Sequence, residues 1–171
     1  MSVQEKIAEL ESAKPAGHRW GLITAIYIGA EVKEPMTSVA EVHAVAGAGL
    51  EGDRYLKETG TFSEKSPGNQ VTLIESEALA AASRDYKFEI TAGDSRRNLL
   101  TTGMALNHLV GREFRIGEVR LRGFKLCEPC GHLEKLTGKQ MIKALRHRGG
   151  LRAEILSSGR IKVGDTISEQ E

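Results

Sequence analysis

The clearest pattern along the chain is "EVRLRGFKL" (118–126), where Val119, Leu121 and Gly123 alternate with Arg120 and Arg122. A period of two is that of a strand with one face buried and one face wet. "WGLITAIYI" (20–28), "TSVAEVHAV" (37–45), "QVTLI" (70–74) and "RRNLLTTG" (96–103) also read as strands, from their β-branched and apolar residues. "LRAEIL", "SSG" and "RIKVGDTI" predict a closing hairpin over 151–167. Helical spacing is confined to three places. Ile7 and Leu10 give a short amphipathic helix that Pro15 and Gly17 end. "ESEALAAASRDY" (75–86) is an alanine-rich helix opened by acidic residues. Leu133, Leu136, Met141, Ile142 and Leu145 suit helical turns interrupted by Gly138.

"FRIGEV" (114–119) and "IKVGDTI" (161–167) each read as a strand–turn–strand corner around a glycine. Many short strands, glycine corners and few short helices predict a mainly β, barrel-like fold rather than a doubly wound sheet. No linker interrupts it. The expected organisation is a helical extension over 1–19 and a single β-barrel domain over 20–168.

Composition then narrows the function. The 171 residues allow one well-buried core, and 40% hydrophobic with 27% charged residues is ordinary for a globular domain. No apolar run is long enough for a membrane helix, and the charged first 14 residues lack the centre of a secretory signal. A cytoplasmic protein is expected. The net charge of +1 hides an asymmetry: residues 96–162 hold fifteen Lys or Arg against five Asp or Glu, whereas residues 1–95 hold nine against fifteen. A basic segment of this kind marks a surface for an anionic partner or a solvated face. The eight aromatic residues do not interleave with it, which argues against nucleic acid.

Both cysteines fall in "GFKLCEPCGHLEKLTG" (123–138), as Cys127-x-x-Cys130. Structural zinc is disfavoured, since no second C-x-x-C occurs and His132 is too close to Cys130 to reach the same ion. A dithiol redox pair gains from Pro129, which stiffens the turn, and from a helix starting near His132. A single thiolate ligand for a soft transition metal is a third chemistry, and two inert thiols in a turn a fourth. If the metal came within an anionic organic cofactor, the arginines of 96–162 would acquire a use. Asp53 and Asp94, in "EGDRY" and "AGDSRRN", read as turn residues bonding their own backbone rather than as catalytic acids.

Six segments in order then carry a resemblance: "GLEGDRY" (49–55), "NQVTLIE" (69–75), "AGDSRRNLLTTG" (92–103), "LVGREFRIGEV" (109–119), "LCEPCGHLE" (126–134) and "GGLRAEILSSGRIKVGDTI" (149–167). Together they resemble the MOSC domain, the C-terminal domain of molybdenum-cofactor sulfurases. The resemblance implies a β-barrel-like domain with a few short peripheral helices that binds the molybdenum cofactor (molybdopterin) or sulfur destined for it. It places the reactive thiol, and the molybdenum ligand, at Cys130. It implies cofactor contacts from Arg96, Arg97 and Asn98, with Arg152 a further one. A planar guanidinium suits the cofactor's phosphate, and a carboxamide that donates and accepts suits a pterin edge.

The implied activity is reduction of N-hydroxylated small molecules with electrons from a separate donor. The alternative is a carrier holding a persulfide on Cys130, charged by a separate cysteine desulfurase. A non-catalytic interaction module is the third reading. No pyridoxal-phosphate domain fits in 171 residues, so a stand-alone module is expected. Many relatives lack a thiol at Cys127, which leaves open a Cys127–Cys130 disulfide that would switch the site off.

Overall fold

The computed structural model describes residues 1–13, 20–57 and 66–169. In chain order its elements are α1 (Val3–Ala13), β1 (Trp20–Ile28), β2 (Thr37–Val39), β3 (Glu41–Val45), β4 (Gly49–Leu50), β5 (Val71–Glu75), α2 (Ser76–Tyr86), α3 (Ala92–Ser95), β6 (Leu99–Thr102), β7 (Glu113–Ile116), β8 (Val119–Leu126), α4 (Gly131–Thr137), α5 (Met141–Leu145), β9 (Leu151–Ile155), β10 (Gly159–Lys162) and β11 (Thr166–Glu169). Seven strands run β11-β7-β8-β9-β5-β6-β1, and β1 pairs back onto β11, closing a barrel. β2 adds to β1, and β10, β3 and β4 form a separate three-stranded sheet. Closure leaves the seven strands without an open edge.

Inward positions alternate as the pattern of β8 requires: Val119 and Leu121 are fully buried, and Arg120 and Arg122 face solvent. Gly123 continues the buried row because a Cβ there would stand 2.0 Å from the Leu109 carbonyl oxygen. The barrel core packs Ile23, Leu73, Leu99, Phe114, Leu121 and Ile167 together. A second core lies outside the barrel wall, where Ile74, Leu79, Ala82, Leu133, Met141 and Leu145 join β5 to α2, α4 and α5. β5 and β6 form the one parallel pair among these strands, and α2 and α3 make the crossover between them.

Three expectations meet a different outcome. The strand over 37–45 breaks at Ala40, with β2 pairing β1 and β3 pairing β10. Arg96–Asn98 precede the strand rather than belong to it, since Arg96 ends α3 in the left-handed region at φ 55°. The hairpin over 151–167 does not form: β9 pairs β8 and β5, β10 pairs β3, and β11 pairs β7 and β1. The "SSG" segment is tied elsewhere, as Ser157 Oγ accepts from Arg120 N at 2.9 Å and Ser158 Oγ accepts from Ala46 N at 2.9 Å. The stop placed at Pro15 and Gly17 lies outside the described residues, and α1 meets the barrel through a Lys6 Nζ bond to the Gly164 carbonyl. Among the described residues no helix is long and apolar enough to cross a membrane.

Candidate functional site

Three neighbouring strands bring the charged motifs together. Thr72 of β5 stands opposite Arg152 of β9. On its other side the Thr72 carbonyl accepts from Asn98 N at 3.1 Å, just before β6 begins. The segments 127–133 and 54–55 close in from either side. The result is an open-mouthed cleft lined by Arg54, Arg96, Arg97, Asn98, Arg152, Cys127 and Cys130. Tyr55, Thr72, Glu128, His132 and Leu133 complete the lining. All five residues named from the sequence (Cys130, Arg96, Arg97, Asn98 and Arg152) therefore meet at one place.

Their side chains stand in different situations. Arg97 is 8% exposed and donates to three carbonyls: Nε to Gly149 at 2.8 Å, Nη1 to Ser95 at 3.0 Å and Nη2 to Cys127 at 2.9 Å. Asn98 Oδ1 accepts from Thr72 N and Oγ1, and its Nδ2 donates to the Tyr27 carbonyl and to Asp53. Arg96 reaches outward, Nη1 to the Glu34 carbonyl at 2.9 Å and Nη2 to the Val32 carbonyl at 3.0 Å. Arg152 uses Nη1 on the Gly68 carbonyl and Asn69 Oδ1, both at 3.2 Å. Its remaining N–H groups have no partner among the described residues.

The two thiols are free and differ in access: Cys127 is buried and Cys130 exposed. Cys130 is the N-cap of α4, in extended conformation, and its side chain makes no capping bond. Among the described residues no group of three or more His, Cys, Asp or Glu is placed to hold a metal ion. Asp53 and Asp94 hold backbone, as their turn-like contexts predict. Asp53 accepts from Tyr55 N at 3.1 Å and Gly29 N at 2.9 Å, and Asp94 forms a capping box with Thr91.

Arg54, Tyr55, Thr72 and Glu128 belong to the cleft without having been singled out in the sequence. Arg54 adjoins Asp53 in "EGDRY", and that adjacency was the available signal. Its Nη1 donates to the Gly29 carbonyl at 3.2 Å and lies 3.8 Å from Met36 Sδ. Glu128 is turned toward His147, accepting from its backbone N at 3.0 Å.

The lining thus carries four arginines against one carboxylate. Burial, and after it the Arg54 charge, lowers the Arg96 guanidinium below its ordinary value, with Tyr55 and Asp53 opposing. It remains cationic, as guanidinium groups do in proteins. Elsewhere part of the basic run is paired with carboxylates: Arg122 with Glu113 and Glu154, Arg148 with Asp85, Lys139 with Asp94, Arg160 with Glu41.

A family model of the MOSC domain matches residues 61–168, well over half of the chain. The chain belongs to the MOSC domain family. The fold agrees with that of solved structures. The YuaD protein of Bacillus subtilis superposes with a TM-score of 0.74 at 14% identity, covering 90% of this chain and 98% of YuaD. YiiM of Geobacillus stearothermophilus gives 0.67 at 17% identity, covering 88% of this chain and 75% of YiiM. YiiM of Escherichia coli gives 0.65 at 17% identity, covering 92% and 71%. At such identities the likeness shows the barrel and its extra strand, and nothing of chemistry. Among curated protein sequences none matches this MOSC chain significantly.

Proposed function

We propose that this MOSC domain binds the molybdenum cofactor in the arginine-lined cleft, with the Cys130 sulfur as the metal's protein ligand. The observation that carries the reading is the donor set: an exposed thiol beside four guanidinium groups and one carboxylate. Soft sulfur suits molybdenum, and the cationic lining suits the phosphate-bearing end of the pterin. Arg152, with N–H groups to spare, holds that anionic end, and Arg96, whose Nη1 and Nη2 clasp the Glu34 and Val32 carbonyls, adds its charge beside it. Arg97 and Asn98, whose polar atoms are committed to the protein, form the wall beneath it.

When bound, the cofactor supplies two-electron chemistry at the metal. Reduction of an N-hydroxylated base or amidoxime consumes two electrons and two protons, breaks the N–O bond and releases water. The electrons come from a separate donor protein. His132 lines the same cleft and is placed to hold one of the protons. We place such a reaction in the cytoplasm.

The test is elemental and pterin analysis of protein purified from a cofactor-competent host, beside Cys130→Ser. Molybdenum near one per chain in the first and absent from the second supports the reading. A loaded protein that reduces no N-hydroxylated base with an artificial donor keeps the cofactor site and removes the reaction. The burial of Cys127 favours a second reading. A persulfide on exposed Cys130, charged by a cysteine desulfurase, has no accessible neighbouring thiol to discharge it. Cyanide-labile sulfur on Cys130 without molybdenum would support that carrier. Neither molybdenum nor sulfane sulfur would leave an interaction module.

A further inference from the structure

The guanidinium of Arg97 donates through all three of its nitrogens, to carbonyls from three separate segments of the cleft wall. The Ser95 carbonyl ends α3, the Gly149 carbonyl belongs to the turn before β9, and the Cys127 carbonyl opens the loop that leads to Cys130. These segments are already pressed together. A Cβ on Gly149 would stand 2.5 Å from the Cys127 carbonyl oxygen and 3.0 Å from Pro129 Cδ. The peptide N–H of Cys127 donates to the Gly150 carbonyl at 2.7 Å. Cys127 is therefore held from both sides, its N–H by Gly150 and its carbonyl by Arg97.

Three residues on, the Cys130 side chain makes no capping bond of its own. Its place is set upstream by the Cys127 anchor and downstream by α4, where Glu134 N donates to the Cys130 carbonyl at 3.3 Å and Leu133 is buried. Pro129 restricts the backbone between the two anchors. Turning the Arg97 guanidinium toward an anion would strip a carbonyl of its donor in a buried site, a cost that the half-buried Arg152, with uncommitted N–H groups, does not carry. Residue type follows from the same geometry. A planar fork reaches three carbonyls spread around its rim, and a compact ammonium does not.

We infer that Arg97 is a positioning residue, which fixes the Cys127–Cys130 loop and so sets where the Cys130 thiol stands, rather than a contact to the bound ligand. The inference gives Cys130 its importance from the proposed function, but the test reads Cys130 directly and without cofactor. Its failure and the absence of molybdenum are therefore separate results.

The experiment uses the full chain as wild type, Arg97→Lys and Arg97→Met. It follows iodoacetamide alkylation of Cys130 by mass spectrometry, amide exchange of residues 127–131, and the melting temperature. The expected result is amide exchange faster by roughly fivefold or more in both variants, with a changed alkylation rate, while the barrel still melts cooperatively. Lysine, which keeps the charge, should rescue neither. Folded variants with wild-type exchange and alkylation would overturn the inference.

If both variants fail to fold, nitrogen-15 NMR of the wild-type arginine side chains decides. A slowly exchanging Arg97 Nε–H that inorganic phosphate does not move, while Arg152 signals do move, supports a positioning role. Fast exchange at Arg97, or a phosphate-induced shift there, overturns it.

Discussion

Asn98 Nδ2 donates to Asp53 Oδ2 at 3.1 Å, joining two motifs that are 45 residues apart in the chain. Both residues are nearly excluded from solvent, at 6% and 2% exposure. The same carboxylate holds Gly29 N and Tyr55 N, and the same carboxamide holds Thr72 and the Tyr27 carbonyl. One pair therefore fastens β1, β5, the "EGDRY" turn and the start of β6 into a single wall of the cleft.

Replacing Asn98 by alanine leaves several of these buried groups without partners. Each such group costs about 1–3 kcal/mol, so a total loss of roughly 2–4 kcal/mol is expected. For a chain of this size that lowers the melting temperature by roughly 5–15 °C. Thermal and urea denaturation check it. A change within about 0.5 kcal/mol, as for an ordinary surface substitution, would contradict the structural role.

Arg96 clasps the 29–36 segment through the Val32 and Glu34 carbonyls, while Arg54 holds the Gly29 carbonyl at its base. Lys33 sits exposed between the two gripped carbonyls. Arg96→Ala should leave the barrel folded and loosen this segment. Limited trypsin digestion should cut after Lys33 roughly five- to tenfold faster than in wild type, in proportion to the easier local opening. Unchanged cleavage there would show that the segment does not depend on the clasp.

How far the sequence reached is explained by the range of each interaction. The alternation of β8, the helix of 76–86 and the turn role of Asp94 were legible because their causes lie within a few residues. The meeting of Cys130, Arg96, Arg97, Asn98 and Arg152 was legible only through the order of motifs. No local period links residue 98 to residue 152. What Arg97 does was not legible at all, since its acceptors at Cys127 and Gly149 are 30 and 52 residues away. The absent hairpin over 151–167 has the same origin. Ser157 and Ser158 look like turn residues, but their hydroxyls are used by Arg120 and Ala46.

Gly150 adopts φ 104°, and a Cβ there would stand 2.0 Å from the Leu73 carbonyl oxygen. Gly150→Ala combines backbone strain with a clash against a barrel strand, so a cost of about 3 kcal/mol or more is expected. The variant should also displace the Gly150 carbonyl from Cys127 N. Denaturation reports the first effect, and amide exchange at Cys127 the second.

Two carboxylates should shift stability in opposite senses with pH. Burial raises Asp94, but bonds from Lys139 and Thr91 outweigh it and hold the carboxyl below its ordinary value. Such a group stabilises the fold above the unfolded aspartate range, and that stability is lost as pH falls through the lower folded value. Asp94→Asn should therefore cost roughly 0.5–1 kcal/mol at neutral pH and nothing in strong acid. Burial raises Glu75, with Glu77 adding to it and the Leu106 N–H and His108 opposing. Its charged form costs stability as pH rises past the ordinary glutamate range. Glu75→Gln keeps an acceptor for Leu106 N and should stabilise the protein at neutral pH, with the gain vanishing in acid. Urea midpoints from pH 3 to 8 test both signs.

The spacing of Cys127 and Cys130 allowed a redox pair, and their unequal burial argues for one working thiol. Cys127 is 1% exposed and its peptide is fastened on both sides, whereas Cys130 is open to solvent. Titration of the native protein with an aromatic disulfide reagent should show one fast thiol per chain. Cys130→Ser should show none, Cys127→Ser one, and denaturant should release the second in wild type. Mild diamide treatment should leave Cys127 reduced, because its sulfur is buried and its peptide is held by Arg97 and Gly150. An intrachain Cys127–Cys130 disulfide found in folded protein would mean that the loop opens at low cost. The burial of Cys127 would then be a switch rather than a support for Cys130.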